Sequence, residues 1–441
     1  MIKRSWFGIT AMVLAASLSL TGCGGNNNNS ASPSASASPS ASASASASAS
    51  PSASQEQVTI SVAMNVSAPA GQDVYAQIAK DFESQNPNIK VDIQFPGDYE
   101  NVLKVKMAAN ELPDVFDTHG WAIIRYGKYL ADLRDEPWVS QMTDSIKNVV
   151  TDKDGKVYVL PISEAKDGIS YNVNVLQKYN IEVPKTFDEF LAAAEKIKTE
   201  SKGAVTPFYY AGADNWTVGQ FFDEFASSLL ISPPDNSASA LLDGSFDWTK
   251  WTPLPAKFKE MYDKGYMNKD IITAKYTDLP KLFATDKVAF FMGSPSFADD
   301  AYKVNKDTKI GIMPVPSMVA GDEPSFSGGE RNTMGVWKDS KHAAEAKKFI
   351  EFFAQPDNMA KIANVLKLPA GLNGVKATHE FASFYDQYAS IRVFPYFDRV
   401  YLPSGMWDVM CNSGLDLISG HISPDKYSQI MKENVARLSK K

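Results

Sequence analysis

The stretch DTHGWAIIRYG brings a carboxylate, an imidazole and an indole close together in Asp117, His119 and Trp121. It directly follows PDVF, a strand candidate, and open α/β sheets bind ligands at the carboxyl ends of their strands. Carboxylates accept hydrogen bonds from sugar hydroxyl groups, and aromatic rings stack on sugar C–H faces. We predict that Asp117 and His119 hydrogen-bond a ligand and that Trp121 stacks on it. The alternative is structural, with a helix cap at Asp117 and a core side chain at Trp121.

A second aromatic candidate, Trp216, ends the polar, glycine-bearing stretch AGADNW and begins a predicted helix. Such a loop can form the wall of a cleft, although a tryptophan at a helix start also packs in cores. Further tryptophans that could stack on a ligand are Trp138, Trp248, Trp251, Trp337 and Trp407.

Enzyme chemistry has weaker support in the sequence. A surface glycoside hydrolase is the rival class because two carboxylates suffice for that reaction, but among 51 acidic residues suitable pairs arise by chance. The motifs GxSxG and HExxH and a glycine-rich phosphate loop are absent from the sequence. The four histidines are dispersed, and DKDG (Asp152–Gly155) lacks the later glycine and glutamate of a calcium loop. We therefore predict a protein that is not an enzyme and has no metal and no cofactor.

The amino terminus carries export and anchoring signals. Residues 1–22 place two cations before an apolar run that is too short for a good membrane span, as in a secretory signal peptide. The tripeptide LTG before Cys23 resembles the lipobox of bacterial lipoproteins, which implies cleavage before Cys23 and lipidation of its thiol. The alternative is an ordinary secreted protein. Residues 23–56 consist mostly of Ala, Ser and Pro, which predicts a disordered tether of about 30 Å.

The charge and the cysteine content limit the possible binding partners and covalent links of the chain. The formal net charge is −7, so nucleic acid is a poor partner. Without a basic amphipathic stretch, the lipid alone should hold the protein at the extracellular face of the membrane, in an envelope of the Gram-positive type. Cys411 is the only other cysteine. We predict that it is a buried apolar side chain.

The remaining chain alternates between strand and helix. VTISVAM and IKVDIQF are strand candidates, and residues 73–85 and 99–109 have helical periodicity. Thr186 and Glu189 predict a capping box, and KVAFFMG and KIGIMPVP predict buried strands. After GGERNTMGVW the pattern is almost wholly helical. This order predicts an α/β fold with a mostly parallel sheet, and about 380 folded residues predict two domains.

The order of these segments resembles the family 1 extracellular solute-binding proteins of ABC importers, the maltose-binding-protein-like group that binds sugars. The resemblance covers essentially the whole mature chain. It rests on ELPDVF, YLADL, GKVYVLPISEAKDGISYN, VPKTFDEFLAAAEKIK, FATDKVAFFMGSPSF, IGIMPVP and AAEAKKFIEFF. Each motif alone is weak, but in this order behind a lipobox the set is specific.

The resemblance implies a type II-like periplasmic-binding-protein fold, in which crossing segments join two lobes and a ligand cleft lies between them. The first lobe is expected at 57–162 plus 294–326, and the second at 163–293 plus 327–441. Crossings are expected near Ser163–Gly168, Phe291–Pro295 and Ser325–Asn332. A monomer of this kind would capture a sugar by lobe closure and deliver it to the permease subunits of an ABC transporter.

The resemblance also adds candidate ligand contacts. Glu164 follows LPIS, and the family has a ligand-contacting glutamate in a similar PI..E context. The alternative is a hinge salt bridge with Lys166 or a neighbour. Tyr171 belongs to the YN pair of the family. Trp407 lies late in the chain, where the family has an aromatic residue that stacks on the ligand. Glu330 and Arg331 in GGERN either bond a ligand or pair with each other. A polyamine or an oligopeptide remains an alternative ligand, because polyamine sites also use aromatics and carboxylates.

Overall fold

The computed structural model describes residues 57–440 except residue 235. The predicted signal peptide, Cys23 and the linker lie outside the described residues. Within 57–440, no helix is both long enough and apolar enough to cross a membrane.

Strands and helices alternate along most of the chain. The strands are β1 (Val58–Ala63), β2 (Ile89–Gln94), β3 (Val115–Phe116), β4 (Leu160–Pro161), β5 (Glu164–Asp167), β6 (Ile169–Asn172), β7 (Thr206–Phe208), β8 (Val288–Met292), β9 (Ile310–Met313), β10 (Phe326–Glu330), β11 (Thr333–Val336) and β12 (Val393–Pro395). The helices are α1 (Pro69–Gln85), α2 (Tyr99–Ala109), α3 (Asp144–Val150), α4 (Val173–Lys178), α5 (Phe187–Glu200), α6 (Trp216–Ala226), α7 (Ala238–Asp243), α8 (Pro253–Asp263), α9 (Leu279–Ala284), α10 (Ala298–Val304), α11 (Ala343–Phe353), α12 (Pro356–Leu366), α13 (Ala382–Gln387), α14 (Phe397–Tyr401), α15 (Met406–Ile418) and α16 (Pro424–Leu438).

The first sheet begins with the two segments that the sequence predicts as strands. β1 and β2 pair in parallel, with Val58 opposite Ile89 and Ala63 opposite Gln94. β3 joins the other edge of β1 in parallel, and β11 lies between β3 and β4, antiparallel to both. The strand order is therefore β2-β1-β3-β11-β4.

Helices from both ends of the chain cover this sheet. Phe82 of α1 lies edge-on to Phe349 of α11 at 5.2 Å, and Tyr75 of α1 lies 5.4 Å from Phe353. These rings are buried, and burial of apolar surface is the main stabilising contribution to such a core. This core draws on residues 57–163 and 332–375, which we call the first lobe.

The second sheet has the order β7-β8-β6-β9 and contains both parallel and antiparallel pairs. Its core is rich in phenylalanine, with Phe190 of α5 lying 4.4 Å from Phe208 and 5.1 Å from Phe290 between ring centroids. The carboxyl-terminal helices close this core, where Tyr427 of α16 lies 4.7 Å from Phe222 of α6. We call residues 164–331 and 376–440 the second lobe.

A small sheet of order β12-β10-β5 connects the two lobes. β10 and β5 are antiparallel, with Glu330 opposite Glu164 and Gly328 opposite Lys166. Gly328 has no room for a side chain, because a Cβ atom there would overlap the carbonyl oxygen of Ala165. We call β5, β10 and β12 the hinge sheet.

The structure corrects the expected lobe boundaries. The segment 294–326 was expected in the first lobe, but its strand β9 pairs with β6 of the second lobe, and α10 packs against that lobe as well. Residues 332–375 were expected in the second lobe, but β11 completes the first sheet. The chain therefore crosses between the lobes after Ser163 and after Arg331. Its third crossing follows residue 375 instead of the expected Phe291–Pro295.

Candidate ligand-binding cleft

A cavity of about 220 Å³ lies where the two lobes and the hinge sheet meet. The loop after β3 lines it from the first lobe, and α6, the turn after β8 and the start of α15 line it from the second. The hinge sheet supplies its floor. The lining residues are His119, Trp121, Asp167, Trp216, Gln220, Phe291, Gly293, Ser294, Ser296, Arg331, Tyr396, Asp398, Arg399 and Trp407.

Three half-buried tryptophans form the aromatic part of this lining: Trp121, Trp216 and Trp407. Trp216 is fixed by two rings of the second lobe, Tyr276 at 5.0 Å and Phe291 at 6.2 Å, both edge-on. Half-buried rings with fixed orientations can stack on the C–H face of a sugar without losing much conformational entropy.

Trp121 contacts two arginine side chains. The guanidinium carbon of Arg125 lies 3.9 Å from the Trp121 ring centroid, and that of Arg399 lies 4.9 Å from it. Arg399 also stacks on Tyr396 at 3.9 Å. Gly120 permits this approach, because a Cβ atom there would overlap Nη1 of Arg399. These contacts place the positively charged Arg399 of the second lobe against Trp121 of the first lobe.

An ion pair lies at the floor of the cavity. Nη1 of Arg331 lies 3.1 Å from Oδ1 of Asp167, and the Tyr396 hydroxyl donates a hydrogen bond to Oδ2 of the same carboxylate. The Asp167 charge raises the pKa of Arg331, so this arginine stays charged. The sequence suggested a ligand or Glu330 as the partner of Arg331. The structure shows another partner, Asp167.

His119 lines the cavity as a neutral imidazole. Burial, followed by the charges of Arg399, Arg331 and Arg125, lowers the pKa of His119 to about 3. Its Nδ1 atom has no hydrogen-bond partner among the described residues. A neutral imidazole with a free nitrogen can donate or accept a hydrogen bond, which suits a hydroxyl group.

Asp117 lies behind the cavity and does not line it. Its Oδ1 atom accepts hydrogen bonds from the backbone N–H of His119 at 2.8 Å and from the backbone N–H of Thr333 at 3.0 Å. Its Oδ2 atom accepts from Asn332 at 3.1 Å. Burial raises the pKa of Asp117 to about 6, against the lowering effect of these donors. This carboxylate thus orders the loop that carries His119, a structural role different from the helix cap considered above.

Three other candidates also lie away from the cavity. Glu164 is buried and accepts a hydrogen bond from the Ser145 hydroxyl at 2.5 Å. Tyr171 packs in the second lobe, edge-on to Phe384. Glu330 lines a separate cavity of about 470 Å³ on the other side of Trp121, and burial raises its pKa to about 7.

A second cavity of about 310 Å³ adjoins the first. The two share His119, Ser294, Ser296 and Arg331, and the second extends along the first lobe past Asn65 and Lys367. Together they form one elongated cleft. A cleft that extends through both cavities offers space for more than one sugar ring.

Sequence reasoning missed seven polar residues of the cavity: Asp167, Gln220, Ser294, Ser296, Tyr396, Asp398 and Arg399. Three of them lie in FPYFDRVY, where charged and aromatic residues alternate after a strand. That pattern is a usable signal for a binding loop. Across residues 57–440 apart from 235, no cluster of three His, Cys, Asp or Glu side chains has the geometry of a metal site.

Comparisons with known proteins identify the family of this chain. The sequence profile of the bacterial extracellular solute-binding proteins matches residues 68–360. The chain belongs to this family. The melibiose/raffinose/stachyose-binding protein MelE of Bacillus subtilis is 43% identical over 375 residues, which are 85% of this chain and 88% of that protein.

Solved structures agree with this assignment. A Bacillus subtilis binding protein in an open conformation has a TM-score of 0.83 at 41% identity, covering 88% of this chain and 98% of that chain. A sugar transporter protein of Bacillus licheniformis in complex with stachyose has a TM-score of 0.77 at 47% identity, covering 86% of this chain and 100% of that chain. The predicted two-lobed α/β fold is confirmed, as is the prediction of an extracellular solute-binding protein in place of an enzyme.

Proposed function

We propose that this solute-binding protein captures an oligosaccharide of the melibiose, raffinose and stachyose group and delivers it to the permease of an ABC importer. The observation that carries the proposal is the cleft between the lobes, with three tryptophans, a neutral histidine and fixed charged side chains. The relatives support the choice of sugar, since one is named for these three sugars and another was solved with stachyose. These sugars share a terminal galactosyl ring.

The sugar would lie along the elongated cleft. In this proposal, one ring fills the cavity among Trp121, Trp216 and Trp407, and further rings extend into the adjoining cavity. Of the residues predicted from sequence, His119 and Arg331 then supply hydrogen bonds. Asp117 orders the loop that carries His119, and Glu164, Tyr171 and Glu330 lie away from this cavity.

Lobe closure would couple binding to transport. The hinge sheet carries Asp167 and leads directly into Arg331, so a sugar that bonds these side chains and both lobes favours the closed state. A ligand shifts such an equilibrium only by its difference in affinity for the two states. A permease that recognises the closed receptor would then receive loaded protein.

The proposal includes the membrane anchor. The lipobox-like sequence before Cys23 and the Ala-Ser-Pro linker support a lipoprotein on the extracellular face of a Gram-positive-type envelope, working as a monomer. Two or more acyl chains suffice for stable anchoring, since each buried CH₂ group contributes about 0.8 kcal/mol.

Isothermal titration calorimetry of the mature protein tests the sugar. We expect stachyose, raffinose and melibiose to bind reversibly with a change in tryptophan fluorescence. At 100 times the dissociation constant, the sugar should raise the free energy of unfolding by about 2.7 kcal/mol. Maltotriose, spermidine and a mixed peptide library are the controls. Stabilisation only by spermidine or peptides would contradict the sugar assignment, and release of a monosaccharide product would contradict a receptor.

A further inference from the structure

A pair of carboxyl groups lies at one side of the cavity, where α6 meets α14. Asp398 lines the cavity, and its backbone N–H donates a hydrogen bond to Oδ1 of Asp223 at 2.7 Å. Asp223 is 1% exposed, and its Oδ2 atom has no hydrogen-bond partner among the described residues. A buried carboxyl oxygen without a partner is costly, so this arrangement calls for a functional explanation.

Most of the ionisable groups that face Asp223 are acidic and do not compensate a negative charge on it. Asp398 and Arg399 face it from α14, Glu224 follows it on α6, and the Cys411 thiol faces it from α15. Burial, followed by the charge of Asp398, raises the pKa of Asp223 well above its ordinary value. Burial also raises the pKa of Asp398, although the charges of Arg399 and, from the first lobe, Arg125 counteract this.

The favoured state of the pair has Asp223 neutral and Asp398 charged. Asp223 is fully buried and the charge of Asp398 raises its pKa further, so charging both carboxyl groups at once is unfavourable. Asp398 has Arg399 beside it and faces the cavity, so the charge is better placed there. Asp223 then holds the proton as a neutral group.

We propose that Asp398 binds a pair of neighbouring hydroxyl groups on the terminal sugar ring, and that Asp223 is a positioning residue that holds Asp398 in place. A carboxylate can accept hydrogen bonds from two adjacent hydroxyl groups, while the neighbouring Arg399 donates to their oxygens. Gln220, one turn before Glu224 on α6, lines the same side of the cavity and adds an amide. This inference rests on the proposed sugar-binding function.

Titration calorimetry with stachyose on the full mature chain tests both roles. Asp398→Asn keeps the shape of the side chain and removes its charge, so we expect binding weakened by about 10- to 100-fold. Asp223→Ala should weaken binding by about 10-fold, and Asp223→Asn should recover most of that loss, because an amide mimics a protonated carboxyl group. Asp307→Asn, an exposed change of the same kind in a loop of the second lobe, is the matched control.

The pH profile separates positioning from a general structural role. As pH falls through the raised pKa of Asp398, the carboxylate becomes a carboxylic acid and loses acceptor capacity, so wild-type affinity should fall. Asp398→Asn should show no such decrease over the same range. Thermal melts of each variant establish that it is folded.

Each outcome is decisive. Binding by Asp398→Asn within about twofold of wild type overturns the role of Asp398, and equal losses in Asp223→Asn and Asp223→Ala overturn the positioning role. Failure of the wild-type protein to bind stachyose, raffinose or melibiose overturns the proposed function and this inference with it. Wild-type binding with unaffected variants overturns this inference alone.

Discussion

The predicted site residues in the loop after β3 have different roles. The sequence predicted ligand contact for Asp117, His119 and Trp121, and the structure brings the latter two to the cavity while Asp117 lies behind them. Asp117 receives hydrogen bonds from the backbone of residues far along the chain, such as Thr333. No local pattern could reveal that partner, because the two segments meet only through tertiary folding.

The pKa of Asp117 makes its contribution to stability depend on pH. One pKa unit corresponds to 1.36 kcal/mol, and the folded pKa of about 6 exceeds the ordinary 3.8, so ionising this carboxyl costs the folded state about 3 kcal/mol. The stability that the neutral form contributes is present at low pH and is lost as pH rises through about 6.

We expect Asp117→Asn to remove this dependence. Between pH 4 and pH 7.5, the free energy of unfolding of wild type should fall relative to the variant by about 2.5 kcal/mol, since the amide does not ionise. Urea unfolding at several pH values measures the difference. Asp307→Asn should run parallel to wild type, and a parallel curve for Asp117→Asn would show that burial does not perturb Asp117 as described.

Elements with strong local signals were predicted well. Residues 99–109 form α2 as predicted, and the capping box of Thr186 and Glu189 is present at α5. The almost wholly helical pattern expected after GGERNTMGVW is interrupted around α13 (Ala382–Gln387), where neighbouring residues form turns and lead to β12. Which sheet β9 or β11 joins was predicted wrongly, because periodicity identifies a strand and says nothing of its partner.

The cavity was predictable only in part for the same reason. Tryptophans are few, so Trp121, Trp216 and Trp407 could be named from the sequence. Asp167 and Asp398 are two among 51 acidic residues, and only the hinge sheet brings them together.

The hinge sheet should be sensitive to a single methyl group. In Gly328→Ala, the new Cβ atom would overlap the Ala165 carbonyl oxygen of the adjacent strand, so the two strands must separate. We expect a loss of about 3 kcal/mol in the free energy of unfolding, with weaker sugar binding. Gly97→Ala is the control, because nothing lies within 4 Å of its Cβ position. Equal melting temperatures for both variants would mean that the hinge sheet tolerates the added atom.

At the scale of the whole molecule, the proposed anchor and the cleft would serve one task. A receptor that delivers its sugar to a membrane permease gains from staying close to it, because a tether raises the effective concentration of one partner near the other. The predicted linker would provide reach without adding contacts.

Replacing Cys23 tests the anchor. In a Gram-positive host, the wild-type protein should fractionate with membranes, and Cys23→Ser should appear in the culture medium, because a serine cannot form the thioether to the lipid. Cys411→Ser is the matched control, since the Cys411 side chain is buried in the second lobe and should not affect fractionation. Membrane retention of Cys23→Ser would contradict lipid anchoring at this residue.

The placement of β11 between β3 and β4 has a consequence for biogenesis. The first sheet has a gap until residues 333–336 have been synthesised, although its other strands end by residue 161. Such long-range pairing slows folding, because the loop must close before its contacts form. A chain that leaves the ribosome amino terminus first therefore stays incomplete over most of its length. In an exported chain, this late pairing would leave the first sheet incomplete until most of the chain has been synthesised.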